Sequence, residues 1–121
     1  MSIKKTHAYY QNQADEGICN CAYCRNYVQE IKTTHPELTD YLQTIGVDIE
    51  KPFELMPLEA DEEGYIDYIG EQYVVMGSKE EFQTANIGGL SIRIAESHPD
   101  TNIEEEHYVI EVSPVRLKWV M

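Results

Sequence analysis

Three cysteines within six residues are the groups of this chain best suited to chemistry. Cys19, Cys21 and Cys24 lie in the stretch "ICNCAYCRNY", and the chain has no other cysteine. Zinc takes four thiolate or imidazole ligands in a tetrahedron, so this C-x-C-x-x-C pattern needs a fourth ligand from elsewhere. His7, on the arm before the cysteines, and His35, between the predicted helices, are the candidates, with His98 and His107 as further options through tertiary contact. The pattern admits a zinc site.

Two other roles for the cysteines compete with zinc. Cys21 and Cys24 form a C-x-x-C at the start of a predicted helix, where the helix dipole favours a thiolate. Thioredoxin-like motifs, however, follow a buried strand, and the preceding "QNQADEGI" is not one. Both cysteines also recur with Val28 and Ile31 at helical spacing, and cysteine packs as a small hydrophobe. We therefore predict a structural role, with both sulfur atoms facing the interior and no cofactor.

Two helices are predicted around the cysteines and directly after them. The helical pattern of the first begins at Cys19, and Asn20 is its predicted cap, just before the apolar stripe that starts at Cys21. The second begins at Thr34, which forms a capping box with Glu37, and it ends at Gly46. Its predicted apolar face comprises Leu38, Tyr41, Leu42 and Ile45. Residues 1–18 are polar and show no helical period.

From Pro52 onward the apolar period changes to two, which indicates strands. The predicted strands are "PFELMPLE", "YIDYI", "YVVMG", "GLSIRIAE", "HYVIEV" and "VRLKWV". The second and third should form a hairpin with Gly70 in the connection. Segregated helices and strands predict an α+β fold, in which an N-terminal helical hairpin packs on a mostly antiparallel sheet or small sandwich of five to six strands. We expect one domain over 1–121, with a helical part at 19–46 and a β part at 52–121.

Net charge is the strongest compositional feature of the chain. It is −13 overall, and residues 59–113 carry fourteen acids against only Lys79 and Arg93. Such a surface repels nucleic acid and anionic membranes, and it attracts a basic protein surface. The chain also has no apolar run long enough to span a bilayer and no apolar signal segment at its start. A cytoplasmic location is therefore expected.

Tyrosines beside acids are the candidate residues for recognition. A tyrosine offers a large rigid ring at low entropic cost, although tyrosine also suits a half-buried strand. The predicted interaction residues are Tyr65, Asp67, Tyr68, Glu71 and Tyr73 of the predicted hairpin, and Glu104, Glu105 and Glu106 after it.

The chain contains none of the common catalytic motifs, so we do not expect an enzyme. Phosphate loops, nucleotide fingerprints, H-E-x-x-H and G-x-S-x-G are all absent from the sequence. The predicted function is that of a small acidic binding protein whose β part docks on a basic protein surface. One form of this function is an inhibitor that mimics nucleic acid. The alternative is a zinc-binding or thiol-based protein, and a homodimer through an edge strand at 115–120 is a further option.

One part of the chain carries a family resemblance. "CNCAYCRNY" followed by "YLQTIGVDIEKPFE" resembles a group of uncharacterised short bacterial proteins from Gram-positive gut organisms and their mobile elements. In that group C-x-C-x-x-C-R-N-Y precedes a helix ending in L-G-I-D-x-x-K-P-x-E. The match covers Cys19 to Glu54, with Ile45 where the group has leucine. It implies an intact domain, and it favours a hydrogen bond from Arg25 and Asn26 to the strand layer.

Overall fold

A computed structural model describes residues 2–12 and 21–121 of the chain. These residues form three α-helices and then six β-strands, so the α+β class with N-terminal helices is confirmed. None of the helices in this part of the chain has the length and apolar content that a bilayer crossing requires. The helices are α1 (Ile3–Asn12), α2 (Ala22–Thr34) and α3 (Pro36–Thr44); the strands are β1 (Glu54–Pro57), β2 (Tyr65–Met76), β3 (Ala85–Ile87), β4 (Leu90–Ile94), β5 (His107–Ser113) and β6 (Val115–Lys118).

The strands form one antiparallel sheet in the order β1-β2-β5-β4-β3, and β6 also pairs with β2. β2 is its long central strand, with β1 on one side and both β5 and β6 on the other. The pairing on that side runs from Met76 opposite His107 to Tyr65 opposite Lys118. β5 and β6 therefore lie end to end along a single neighbour.

The predicted hairpin around Gly70 is wrong, because residues Tyr65–Met76 form one continuous strand of twelve residues. Gly70 is buried within it, and a Cβ at this position would lie only 3.0 Å from the Cε atom of Met56. The register with β1 shifts at this point. Glycine inside a sequence pattern of strands can mark a turn, a bulge or a close approach of another segment. Gly70 marks a bulge with a close approach of Met56.

At this irregularity β2 changes which side chains face the helices. Tyr68 and Tyr73 both belong to the main core, although they are five positions apart and regular alternation would place them on opposite faces. The neighbouring strands make the same change between Val112 and Val115, both of which are also in the core. Because β2 and its neighbours β5 and β6 change face at the same point, the pairing register between them is the same along the whole of β2.

The helical hairpin of α2 and α3 is present, but its turn differs from the prediction. Thr34 is the last residue of α2 and His35 caps α3 without a side-chain hydrogen bond, so the predicted capping box does not form. Pro36 lies in the first turn, and Gly46 follows the helix end at φ +84° as expected. The predicted apolar face holds, with Leu38 and Leu42 buried.

Helix α1 had no signal in the apolar pattern, because polar contacts hold it to the end of β2. Thr6 and Tyr10 are its buried residues. The Thr6 hydroxyl accepts a hydrogen bond from the Met76 amide at 2.9 Å, and the Ser2 amide donates to the Met76 carbonyl at 2.8 Å. The Tyr10 hydroxyl donates to the Val74 carbonyl at 2.7 Å. α1 thus caps the end of β2.

Asn26 joins α2 to the free edge of β6. Its Nδ2 donates to the Lys118 carbonyl at 2.9 Å, and its Oδ1 accepts from the Val120 amide at 2.9 Å. The amide thereby satisfies two backbone groups, as a neighbouring strand would. The predicted hydrogen bond to the strand layer is made by Asn26, whereas Arg25 is exposed. Two backbone groups of the strand edge at 115–120, where a homodimer was predicted, are therefore already hydrogen-bonded to Asn26.

Candidate interaction face and cysteine cleft

Cys21 and Cys24 line a cleft and do not lie in the core. Cys21 is the exposed N-cap of α2 and Cys24 is half-buried. Both border a cleft of about 510 Å³ whose other walls include Tyr23 and Phe53. The predicted inward position is therefore wrong for Cys21 and only partly right for Cys24. Cys19 lies outside the described residues.

The interior side of α2 is occupied by larger side chains. Tyr27 and Ile31 are fully buried, and Tyr23, one turn earlier, packs against the same core. These positions recur every four residues, as one face of a helix requires. The Cys24 and Val28 side chains lie at the border of this stripe, where both are half-buried.

The structure does not bring His7 to the cysteines. His7 borders a different cleft, together with Tyr10 and Gly46. Within residues 2–12 and 21–121, no three histidine, cysteine, aspartate or glutamate side chains come close enough to hold a metal ion. A zinc site with three protein ligands would need at least one ligand from residues 13–20, among them Cys19, which lie outside the described residues, so it stays a prediction.

The prediction of a surface position is wrong for three of the predicted interaction residues. Tyr68, Glu71 and Tyr73 are each 0% exposed. Their strand is central in the sheet, and the change of inward face places both Tyr68 and Tyr73 under the helices. Simple alternation along one strand cannot put both there.

Glu71 is an ionisable group held inside the core. Among the described residues, neither of its carboxyl oxygens has a hydrogen-bond partner. Burial, and to a smaller extent the nearby carboxylate of Glu111, raises the pKa of Glu71 to about 9. Glu71 is therefore neutral at pH 7 and adds no charge to the acidic surface.

A tyrosine pair lies within the same core. The Tyr27 and Tyr73 hydroxyls are 2.5 Å apart, and the Tyr73 hydroxyl donates to the Ile49 carbonyl at 2.8 Å. Tyr27 must therefore be the donor to Tyr73, because Tyr73 has a single proton to give. Burial and the neighbouring Glu71 hold the pKa of Tyr27 well above its usual range, so this hydroxyl stays protonated.

Tyr65 and Asp67 do lie on the surface, where Arg116 orders them. Arg116 Nη1 is 3.0 Å from Asp67 Oδ2 and Nη2 is 2.5 Å from Asp61 Oδ2. The guanidinium carbon also lies 4.8 Å from the centre of the Tyr65 ring. The Tyr65 backbone amide and Arg116 together lower the pKa of Asp61. This network holds the acidic turn at 61–64 against the outer side of the sheet.

Two large apolar side chains that sequence analysis did not select complete this surface. Ile69 is 54% exposed and follows Asp67 on the outward side of β2. Leu58 is 48% exposed, and its amide donates to the Asp67 carbonyl at 2.9 Å. The signal was available, because Ile69 keeps the outward parity of Tyr65 and Asp67. We call this surface the outer patch; it comprises Leu58, Tyr65, Asp67, Ile69 and the acidic residues of 59–63.

Glu104, Glu105 and Glu106 are exposed but belong to a distant surface. The Gly77 amide donates to the Glu106 carbonyl at 3.0 Å, which places these acids at the Met76 end of β2. Tyr65 begins the strand at its other end, about 35 Å away at the usual rise of a strand. The predicted interaction residues therefore do not form a single site.

Residues 59–113, all of which the structure describes, present mostly acids to solvent. Eleven of the fourteen acids are exposed, and Lys79 is the one exposed base. Arg93 is paired with Glu111 across β4 and β5, with Nη2 2.5 Å from Oε2. The negative charge seen in the sequence is therefore a property of the surface.

Comparison with known proteins adds no relative to this description. No family model, curated protein or solved structure matches the chain. The resemblance of Cys19–Glu54 to short bacterial proteins stays a prediction, and function is inferred from the chain's own residues.

Proposed function

We propose that this chain is a small acidic binding protein, without catalytic activity, whose outer patch docks on a basic protein surface. The observation that carries the proposal is the exposure of Ile69 and Leu58 next to a rim of carboxylates, which Asp67 and the acids of 59–63 form on one side of them. Protein interfaces concentrate their binding free energy in a few apolar or aromatic anchors surrounded by polar groups. The outer patch has both components on one side of one sheet.

The ordering of this rim supports the same proposal. Arg116 holds Asp61 and Asp67 in place and stacks on Tyr65, so these groups need little further ordering when a partner binds. The negative field of the whole chain would speed association with a basic partner at low salt. A protein that normally binds nucleic acid offers such a basic surface, which makes inhibition by mimicry one form of the function.

An Ile69→Ser variant tests the proposal without changing charge. We expect immobilised wild-type chain to retain a basic partner at about 50 mM salt and to release it at about 500 mM, because salt screens exposed charges. Loss of the anchor should weaken binding of that partner at least about tenfold, the scale of a central interface residue. Isothermal titration of the purified partner at both salt concentrations then measures how affinity changes with salt and with the substitution.

Ile3→Ser is the matched control, since Ile3 is 53% exposed but lies on α1. It should bind like wild type. Equal affinity of the Ile69 and Ile3 variants, or an affinity that does not change with salt, would contradict docking through the outer patch.

We propose a zinc-binding role at the cysteines as the second candidate function. It is supported by the position of Cys21 and Cys24 on the wall of a cleft, where an ion and its ligands can be reached from solvent. Thiolates are preferred zinc ligands, and Cys19 is close enough in sequence to be a third. The fourth position would be filled by another side chain or by water.

Elemental analysis of protein purified without chelator tests the second candidate. We expect one zinc per chain, lost in Cys24→Ser and retained in His7→Gln, because His7 borders the other cleft. Metal binding to such sites stabilises the folded state, so chelation should also lower the melting temperature. Metal-free wild-type protein whose melting temperature ignores chelator would exclude the site.

A further inference from the structure

A second cleft, of about 590 Å³, lies between α1, α3 and the segment 46–51. Tyr10, Val47 and Ile49 form its base but are each at most 3% exposed, so the surface open to a ligand belongs mainly to polar and charged residues. Its volume falls within the range of small-molecule sites, roughly 300 to 1,000 Å³. We call it the polar cleft, after the charged groups around its mouth. The outer patch shares no residue with it.

Both signs of charge converge on the polar cleft. Lys32 and Glu50 form an ion pair on its wall, with side chains 50% and 41% exposed. Lys51 Nζ donates to the Tyr10 carbonyl at 2.9 Å, which uses one of its three donors. Asp48 Oδ1 accepts from the Glu50 amide at 3.0 Å and retains further acceptor capacity. Two ammonium and two carboxylate groups thus line one cleft.

This balance of charge selects the kind of ligand. The formal charges of the four groups cancel, whereas the whole chain carries −13. A purely anionic ligand would be repelled by the chain and by two carboxylates of the cleft. A purely cationic ligand would leave both lysines without a partner on the ligand. A zwitterion satisfies both signs and has no net charge for the field to repel.

We propose that the polar cleft binds a small zwitterion of the amino-acid or short-peptide type. Its carboxylate pairs with Lys32 and Lys51, and its ammonium pairs with Glu50 and Asp48. The Lys32–Glu50 pair must open to admit the ligand, and an exposed pair of this kind contributes at most about 1 kcal/mol, so opening it costs little. In the complex, the ligand carboxylate takes the place of Glu50 beside Lys32, and the ligand ammonium takes the place of Lys32 beside Glu50.

Nuclear magnetic resonance on ¹⁵N-labelled full-length chain tests this inference. Pools of the twenty amino acids and a set of dipeptides, each at about 10 mM, should shift the amide resonances of Gly46–Lys51, and the two pools separate free amino acids from peptides. The C-terminal amide and the N-acetyl derivative of the best-binding compound should each bind at least tenfold more weakly, because each removes one charge of the zwitterion.

Variants of the ion pair then locate the site. Lys32→Met and Glu50→Gln should each reduce affinity at least tenfold, and both should fold, since the pair is exposed. Lys79→Met, an exposed lysine far along the chain, should leave affinity unchanged. Unshifted Gly46–Lys51 resonances with both pools would overturn the inference, and so would amide and acetyl derivatives that bind as tightly as the parent compound. Neither result depends on whether the outer patch binds a protein.

Discussion

The Glu71→Gln variant should gain stability relative to wild type as the pH rises, by about 3 kcal/mol between pH 5 and pH 7. Glu71 is 0% exposed, and burial raises its pKa from 4.5 to about 9. The folded wild type must therefore keep this carboxyl protonated across the neutral range, whereas the unfolded chain releases the proton. Glutamine has nearly the same shape and cannot ionise, so it removes this dependence on pH.

Wild-type stability falls with rising pH because the pKa of Glu71 is higher in the folded state than in the unfolded chain. A carboxyl whose pKa is higher in the folded state contributes its full stability below pH 4.5, where both states are protonated. That contribution falls by about 1.4 kcal/mol per pH unit and is exhausted near pH 9. Wild type should therefore lose stability over this range, and the variant should not lose this part of it. Since native domains have about 5–15 kcal/mol in all, the effect is large.

Urea denaturation of both proteins at pH 5, 6, 7 and 8 measures the difference directly. Glu62→Gln is the matched control, because Glu62 is exposed in the turn before β2 and its difference from wild type should stay flat. Subtracting the wild-type stability from that of the variant at each pH removes the contribution of groups that titrate in both proteins. A flat difference for the Glu71 variant would mean that this carboxyl is ionised or hydrated in the folded state.

The sequence was sufficient where apolar periodicity decides the structure. The helix at Pro36–Thr44 and the strands at Leu90–Ile94 and His107–Ser113 followed from spacing, because each buries one regular face. α1 could not be found in this way, because only Thr6 and Tyr10 are buried in it and its attachment is mainly by hydrogen bonds. Contacts of that kind depend on where β2 ends, which a local pattern does not contain.

The cysteines show how two patterns can compete on one helix. Cys24, Val28 and Ile31 form one apolar stripe, and Tyr23, Tyr27 and Ile31 form another. Both satisfy helical spacing, and they share Ile31. The tyrosine stripe is the buried one, because aromatic rings remove more apolar surface from water than a thiol does. Weighing the stripes by side-chain size would have identified it.

Gly70 and Ile69 differ in what the sequence could show. Glycine predicts a turn and a bulge equally well, and only the pairing of β2 with β5 and β6 shows that the strand continues. Ile69 already lies in the predicted strand "YIDYI" with the outward parity of Tyr65 and Asp67, so its exposure could have been predicted. The burial of both Tyr68 and Tyr73 depends on the change of face near Gly70, so it could not be predicted from one strand.

Gly46→Ala should destabilise the protein by about 1–3 kcal/mol more than Gly89→Ala does. Both glycines have φ near +84°, a conformation that costs other residues roughly 1–2 kcal/mol. They differ in their surroundings. A Cβ at Gly89 would meet nothing within 4 Å, whereas at Gly46 it would lie 2.5 Å from the Ile3 carbonyl oxygen. The backbone of α1 would have to move, and a backbone atom cannot rotate away as a flexible side chain can.

The same displacement should be visible at one amide. The Met76 amide donates to the Thr6 hydroxyl, so lifting α1 away from Gly46 removes its acceptor and exposes it to exchange. Urea denaturation gives the difference in stability, and hydrogen exchange at Met76 gives its cause. Exchange should quicken in Gly46→Ala and stay at the wild-type rate in Gly89→Ala. Equal destabilisation by the two substitutions, with Met76 protected in both, would show that α1 does not depend on close packing against Gly46.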